Sequence, residues 1–154
     1  MNVFAGINII EARPMTRLEY NQYRKWGMPF YEDGSDKGYL IEYMGAGNSN
    51  HMLHENYITW SPEVVFNNEY KSSGYMSFGQ ALAAMELGFS VYQSDWPEDK
   101  RIFMPKQGEL PYIYVCEESE NHVNIWSMGQ KDILAKTWGI RTDEYPDNVT
   151  SNGE

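Results

Sequence analysis

The chain has 154 residues, of which 42% are hydrophobic and 15% aromatic, so it can bury a core and is not a disordered polymer. Its formal net charge of -10 argues against nucleic-acid binding, which depends on clustered Lys and Arg side chains. The single cysteine, Cys116, excludes an internal disulfide and a cysteine-based metal site. No apolar run approaches membrane-spanning length, so we expect no membrane segment.

The N-terminal part, residues 1–71, is predicted to be a small α+β module. Residues 1–12 are mostly apolar, and their pattern is compatible with an edge strand and with a mobile leader. Thr16 and Glu19 stand at the spacing of a capping box, which predicts a helix that ends near Gly27.

Two strands and a second helix are predicted to complete this module. Residues 38–44 alternate as a half-buried strand, and residues 57–60 return as another. Pro62 opens a helix whose apolar side is expected to comprise Val64, Val65, Phe66 and Tyr70. With these elements the module resembles a small accessory module of phage proteins, a resemblance that implies no activity.

The loop between the two strands carries His51 and His54, with Glu55 beside them. Their spacing admits a metal site, but the loop offers no motif that supplies further ligands. We therefore expect these histidines to bond to backbone groups and expect no metal site.

Residues 71–74, with the sequence KSSG, are predicted to be a linker to a second module at residues 75–141. Ser77 and Gln80 form a second capping-box pattern, and an apolar stripe follows at helical spacing, made of Phe78, Ala81, Leu82 and Met85. Gly88 supplies the left-handed residue that ends a helix. The pattern predicts a central amphipathic helix of about three turns.

Beyond that helix, a strand is predicted to run to Trp96, and antiparallel strands are predicted at residues 101–104, 111–116 and 122–126. Ser127 and Gln130 predict a capped short helix, with Asp132 in its first turns and Ile133, Leu134 and Ala135 facing inward. Residues 142–154 are predicted to be a flexible acidic tail. The predicted fold class is α+β, with small antiparallel sheets, the central amphipathic helix and short flanking helices.

Two motifs of the second module carry a resemblance to a known family. The first is F-G-x-A-L from Phe78 to Leu82, followed by the helix-ending glycine and a strand to Trp96. The second is W-S-x-x-Q-x-D-I-L-A-x-x-W from Trp126 to Trp138. Residues 75–141 thereby resemble the second Thoeris anti-defence family of phages, whose members bind a cyclic ADP-ribose isomer and hold it without degrading it.

The resemblance implies a non-enzymatic protein that sequesters a cyclic nucleotide signal in the host cytoplasm, with no cofactor, as a homo-oligomer (a dimer or a tetramer). The implied ligand-binding residues are Phe78, Tyr92, Trp96, Arg101, Trp126, Ser127, Gln130 and Asp132. Rings of this kind can stack on a base, although core packing explains them equally well. Ser127, Gln130 and Asp132 suit phosphate and ribose groups, although helix capping alone also accounts for them.

In one place the chain departs from the family pattern. The family tends to carry a basic residue in the strand before the first tryptophan, whereas this chain has Tyr92, Gln93, Ser94 and Asp95 there. We expect the missing positive charge to come from Lys100, Arg101 or Arg141.

No arrangement of residues makes a positive case for catalysis. The acidic runs at residues 95–99 and 117–120 lie in turn-like sequence, where water keeps their acidity ordinary, and no nucleophile elbow or glycine-rich phosphate loop is present. Two other functions stay open: an interaction module that inhibits a host protein, steered to it by the acidic surface, and a nucleotide-cleaving enzyme.

Overall fold

The computed structural model describes residues 1–105, 112–120 and 122–143, which fall into two compact units. The N-terminal unit runs from Ile9 to Tyr70, and the C-terminal unit begins at Lys71 and also takes in Met1–Asn8. Both units combine helices with an antiparallel sheet, which confirms the predicted α+β class. No helix of the described ranges has the length and apolar character needed to cross a bilayer.

The N-terminal unit is built on a three-stranded antiparallel sheet. Its elements are β1 (Ile10–Pro14), α1 (Arg17–Tyr23), β2 (Gly38–Tyr43), β3 (Ile58–Pro62) and α2 (Glu63–Glu69). The strand order is β1-β2-β3, so the apolar N-terminal segment forms an edge strand from Ile10 onward. Tyr20, Leu40 and Ile58 are buried together and form the core of this unit.

Helix α1 begins with the predicted capping box. The Thr16 hydroxyl accepts the Glu19 amide at 3.3 Å, and the Glu19 carboxylate accepts the Thr16 amide at 2.7 Å. The helix ends at Tyr23, about one turn earlier than predicted, because Lys25 adopts a left-handed conformation with φ of 57°. That conformation turns the chain before the expected stop at Gly27.

Helix α2 carries its predicted apolar side mostly at the surface. None of its residues is buried, and Val64 and Val65 are exposed. Only one ring of the helix packs on the sheet, since Phe66 stacks on Tyr39 with the ring centres 3.9 Å apart. The apolar residues of this helix are therefore mostly surface residues.

The C-terminal unit places one long helix against a five-stranded antiparallel sheet. Its elements are α3 (Phe78–Glu86), β4 (Val91–Gln93), β5 (Lys100–Phe103), β6 (Tyr114–Glu117), a 3-10 turn (Glu118–Glu120), β7 (His122–Ile125), α4 (Gln130–Leu134) and β8 (Trp138–Ile140). The strand order is β7-β6-β5-β4-β8. The predicted strands are thus confirmed to within a few residues, while all but Thr142 and Asp143 of the predicted tail lie outside the described residues.

Helix α3 begins and ends where the sequence predicts. The Ser77 hydroxyl accepts the Gln80 amide at 3.3 Å, the Gln80 side chain accepts the Ser77 amide at 2.9 Å, and Gly88 ends the helix with φ of 97°. The helix buries Ala81, Ala84 and Met85. Together with Phe89, Val91, Ile102 and Trp138 from the sheet side, these residues make the core of the unit.

The predicted linker is hydrogen-bonded to β8. The Gly74 and Met76 amides both donate to the Trp138 carbonyl, at 2.9 and 3.0 Å, and the Ile140 amide donates to the Ser73 hydroxyl at 2.8 Å. The segment therefore lies beside β8 and leads directly into α3.

Helix α4 differs from its prediction in two ways. Its cap is Gly129, whose amide donates to the Asp132 carboxylate at 2.8 Å, so Ser127 does not cap the helix. Ile133 and Leu134 are exposed, Leu134 by 72%, which makes the inward-facing expectation wrong for both. A five-residue helix has too few turns to bury a continuous stripe.

Candidate functional site

Four aromatic rings meet in the C-terminal unit and form what we call the aromatic cluster: Phe78, Trp96, Trp126 and Trp138. Trp138 is fully buried at the centre, with its ring centre 5.4 Å from those of Phe78 and Trp96 and 5.9 Å from that of Trp126. Phe78 and Trp96 each lie 6.1 Å from Trp126. The three aromatic residues that the family resemblance implied for ligand binding, Phe78, Trp96 and Trp126, are therefore neighbours within one chain.

Each outer ring of the aromatic cluster comes from a different element. Phe78 is the first residue of α3, Trp96 lies in the turn after β4, and Trp126 directly follows β7. All three are half-buried, so each keeps part of its ring surface in contact with solvent. The buried Trp138 indole N–H donates to the Asp132 carbonyl at 3.0 Å, as a tryptophan inside a core requires.

One of the outer rings also lines a cavity of about 450 Å³, a size typical of small-molecule sites. The cavity is formed by the end of β4, the turn that follows it and the end of β8. Its lining residues are Tyr92, Gln93, Ser94, Trp96, Pro97, Glu98, Ile140, Arg141, Thr142 and Asp143. Of the predicted binding residues, the structure brings Tyr92 and Trp96 to this cavity, together with the candidate cation Arg141.

Tyr92 and Arg141 are held against each other at the cavity wall. A Cβ atom placed on Gly139 would lie 2.6 Å from the Tyr92 ring, so the strand β8 must carry glycine here for the ring to lie flat on it. The Arg141 guanidinium lies 5.5 Å from the Tyr92 ring centre, within cation-π range. Its Nε is buried and has no hydrogen-bond partner among the described residues. Arg141 therefore brings a positive charge to the cavity wall, where its guanidinium group can attract an anionic ligand.

The other two candidate cations lie elsewhere. Lys100 stands 5.0 Å from the Trp96 ring centre, and its ammonium is 3.0 Å from the Glu117 carboxylate. Arg101 forms an ion pair with Glu118 in the 3-10 turn that follows β6. Neither residue lines the 450 Å³ cavity.

Of the three polar residues predicted to bind the ligand at the start of α4, Asp132 is hydrogen-bonded within the protein. One oxygen of the Asp132 carboxylate accepts from the Gln93 side chain at 2.8 Å, and the other caps the helix at Gly129. Ser127 and Gln130 are exposed. These three residues line neither the 450 Å³ cavity nor a neighbouring cavity of about 540 Å³ that reaches from Gln93 to Lys131.

Two residues of the site were not among those predicted from the sequence. Trp138 is the centre of the aromatic cluster, and its place at the end of the second motif was the available signal. Gln93 is only 3% exposed. Its hydrogen-bond partner, Asp132, lies 39 residues away, so no local pattern around this glutamine indicates the bond.

Metal binding finds no support in the described ranges. No group of three or more His, Cys, Asp or Glu side chains lies close enough together there to hold an ion. Cys116 is half-buried in the sheet strand β6.

Comparisons with known proteins point to the C-terminal unit. Residues 76–141 match the profile of the family described as "Tad2-like: Thoeris anti-defense 2-like domain". A curated protein of Bacillus phage SP01, "Thoeris anti-defense 2", is 28% identical over an alignment of 87 residues. That alignment covers 42% of this chain and 93% of the phage protein.

Proposed function

Residues 76–141 of this chain match the profile of the Thoeris anti-defense 2-like domain, and from this premise we propose that the protein is a phage anti-defence protein that binds and sequesters a cyclic nucleotide immune signal. The ligand class is a cyclic ADP-ribose isomer, with a cyclic dinucleotide as the next candidate. The observation that carries the proposal is the shared cavity wall of Tyr92, Trp96 and Arg141.

The chemistry of that wall suits a nucleotide. A base that stacks on an aromatic side chain gains about 1 to 3 kcal/mol. Tyr92 and Trp96 offer such rings, and Arg141 offers a fork of N–H donors that matches a phosphate. A local cation is sufficient for this purpose, because a small anion needs a pocket and not a basic face.

Sequestration without cleavage is the form of the activity that we propose. The Ser94 hydroxyl in the cavity donates to the backbone carbonyls of Gly74 and Thr137, at 3.3 and 3.0 Å. It therefore points at carbonyl oxygens and not at a general base, which a serine nucleophile needs. A protein that only holds its ligand depends on a pre-formed pocket between rigid elements, as the ends of β4 and β8 provide.

We further propose that the protein acts as a homo-oligomer, a dimer or a tetramer, in the host cytoplasm, where a diffusible nucleotide signal is found. Supporting this, the edge strand β7 exposes Val123 by 56% and Ile125 by 57%. Exposed apolar side chains on a sheet edge favour contact with another chain. Light scattering of the purified protein and of Ile125→Lys tests the proposal, which predicts a smaller mass for the variant.

Isothermal titration with the cyclic ADP-ribose isomer and with cyclic dinucleotides tests the central proposal. We expect tight binding that Arg141→Ala weakens at least tenfold, while Arg101→Ala, which makes the same charge change away from the cavity, leaves it unchanged. Heating the complex should release the ligand intact. Failure to bind either class would sink the proposal, and recovery of a cleaved ligand would indicate an enzyme.

A second candidate function is a module that inhibits a host protein. It is favoured by Phe30 and Tyr31, whose rings pack edge to face in a loop of the N-terminal unit while Phe30 stays 99% exposed. An exposed aromatic pair is typical of a protein-binding surface. Affinity capture from host lysate separates the two functions, because a sponge returns a small molecule and an inhibitor returns a stoichiometric protein.

A further inference from the structure

The N-terminal unit contains a chain of three hydrogen-bonded side chains that the sequence did not predict. His54 Nδ1 lies 2.5 Å from the Glu42 carboxylate, and His54 Nε2 lies 2.8 Å from the Tyr23 hydroxyl. His54 therefore bonds to two side chains, whereas the sequence predicted bonds to backbone groups. A nucleophile, a base and an acid that orients the base stand in this order in hydrolytic triads.

The positions of the protons on these three side chains follow from the ionisation of Glu42. Burial of its carboxyl group would raise its pKa, but hydrogen bonds from His54 and from the Asn56 amide more than offset burial and lower the pKa. An ionised carboxylate only accepts hydrogen bonds, so His54 Nδ1 must carry the proton. In the neutral imidazole, Nε2 is then the free acceptor, and the Tyr23 hydroxyl donates to it.

Two neighbouring side chains pack against the Tyr23 ring. His51 stacks on it with the ring centres 4.6 Å apart and the planes 19° apart, and the Arg13 guanidinium lies 5.4 Å from its centre. A ring held in this way presents its hydroxyl in one place, which is the positioning that a nucleophile needs.

These groups border a cavity of about 520 Å³. Its polar lining consists of Glu11, Arg13, Tyr23, Glu42 and His54, and its apolar lining consists of Ala12, Leu40 and Leu53. The cavity thus joins an apolar wall, which can hold a short acyl chain, to the hydroxyl that His54 can deprotonate.

We propose that Tyr23, His54 and Glu42 form a second functional site that transfers the acyl group of a small neutral ester. The Tyr23 oxygen attacks the ester carbonyl carbon and its proton passes to His54 Nε2. The carbon–oxygen bond to the alcohol then breaks, and the alcohol leaves with the proton from His54. Water hydrolyses the resulting tyrosyl ester, which restores Tyr23 and releases the carboxylic acid.

The charges of the cavity select the substrate class. Glu11 and Glu42 disfavour an anionic substrate, whereas a neutral ester is not repelled. Negative charge develops on the carbonyl oxygen only during the reaction, and Arg13 supplies a positive charge in the same cavity. This activity is independent of the ligand binding proposed for the C-terminal unit.

The full-length protein with p-nitrophenyl butyrate tests the proposal. We expect steady release of p-nitrophenolate, and a loss of at least about 10²-fold in Tyr23→Phe, because this variant lacks the nucleophilic hydroxyl that His54 deprotonates. Tyr31→Phe is the matched control and should keep the wild-type rate. In Glu42→Gln we expect a lower kcat with an unchanged KM, because Glu42 is a positioning residue that acts through His54 and its charge neither attracts nor repels a neutral ester.

Mass mapping of the wild-type protein after a short reaction provides a readout that needs no variant. We expect the butyryl group on Tyr23 in preference to the other tyrosines and the lysines. Tyr23→Phe that hydrolyses the ester as fast as the wild type, or butyryl groups spread over other side chains without Tyr23, would overturn the proposal.

Discussion

The side-chain amide of Gln93 donates to the carboxylate of Asp132 across 2.8 Å, and this bond ties strand β4 to helix α4. The second Asp132 oxygen holds the Gly129 amide, and the Asp132 carbonyl accepts the Trp138 indole N–H. One residue therefore connects the short helix, the sheet and the centre of the aromatic cluster. Its carboxylate has a structural task that is complete without a ligand.

Asp132→Ala is expected to destabilise the protein by about 1 to 3 kcal/mol, because it leaves the buried Gln93 amide without its acceptor. Urea denaturation followed by tryptophan fluorescence measures this loss. Asp95→Ala is the control, since Asp95 is exposed and 3.9 Å from Lys131, which is also exposed, and a change below about 0.5 kcal/mol is expected. Equal losses in the two variants would contradict the structural role of Asp132.

Trp138→Ala is expected to lower the free energy of unfolding by about 3 to 5 kcal/mol, since it removes the fully buried centre of the aromatic cluster. Thermal and urea denaturation measure the loss. Trp26→Ala, at a half-exposed ring of the N-terminal unit, should cost much less. If Trp138→Ala unfolds completely, Trp138→Phe gives a smaller loss that keeps the comparison possible.

Gly139→Ala is expected to destabilise the C-terminal unit by about 1 to 3 kcal/mol, because the added methyl group collides with the Tyr92 ring. The double variant with Tyr92→Ala should recover most of that loss, and a double-mutant cycle measures the coupling. Gly27→Ala serves as the control, since no atom lies within 4 Å of the added Cβ there. An unchanged penalty in the Tyr92→Ala background would place the clash elsewhere.

The stability of the N-terminal unit is expected to fall in acid through Glu42. Its pKa is lowered in the folded state, so its stabilising contribution is complete above the unfolded pKa of about 4.3 and is lost as the pH falls through the folded value. Urea denaturation of wild type and Glu42→Gln between neutral pH and pH of about 3 measures this. The difference between the two proteins should shrink toward the acidic end, and a difference that stays constant over this pH range would contradict the prediction.

Local capping patterns were predictable from the sequence. The boxes at Thr16 and Ser77 each join residues three positions apart, so the sequence alone contains both partners. At α4 the same reasoning chose Ser127, because a serine is normally the better cap. The Asp132 carboxylate instead reaches the amide of Gly129, three residues before it, and moves the start of the helix.

Contacts between residues far apart in the sequence could not be predicted from it. His54 meets Glu42 across 12 residues and Tyr23 across 31, and no local pattern records either distance. The aromatic cluster was partly predictable, since Phe78, Trp96 and Trp126 stand in the family motifs. Their meeting at Trp138 depends on the pairing of β4 with β8.

Strand β8 is hydrogen-bonded to the segment that leads into α3, through bonds that join Ser73, Gly74 and Met76 to Trp138 and Ile140. The chain therefore enters and leaves the sheet of the C-terminal unit at neighbouring places. A polypeptide whose two ends meet in this way can be grafted into a loop of an unrelated carrier without stretching either junction. The same neighbourhood suits circular permutation, with a short glycine-serine bridge joining the old ends and new ones opened in an exposed turn.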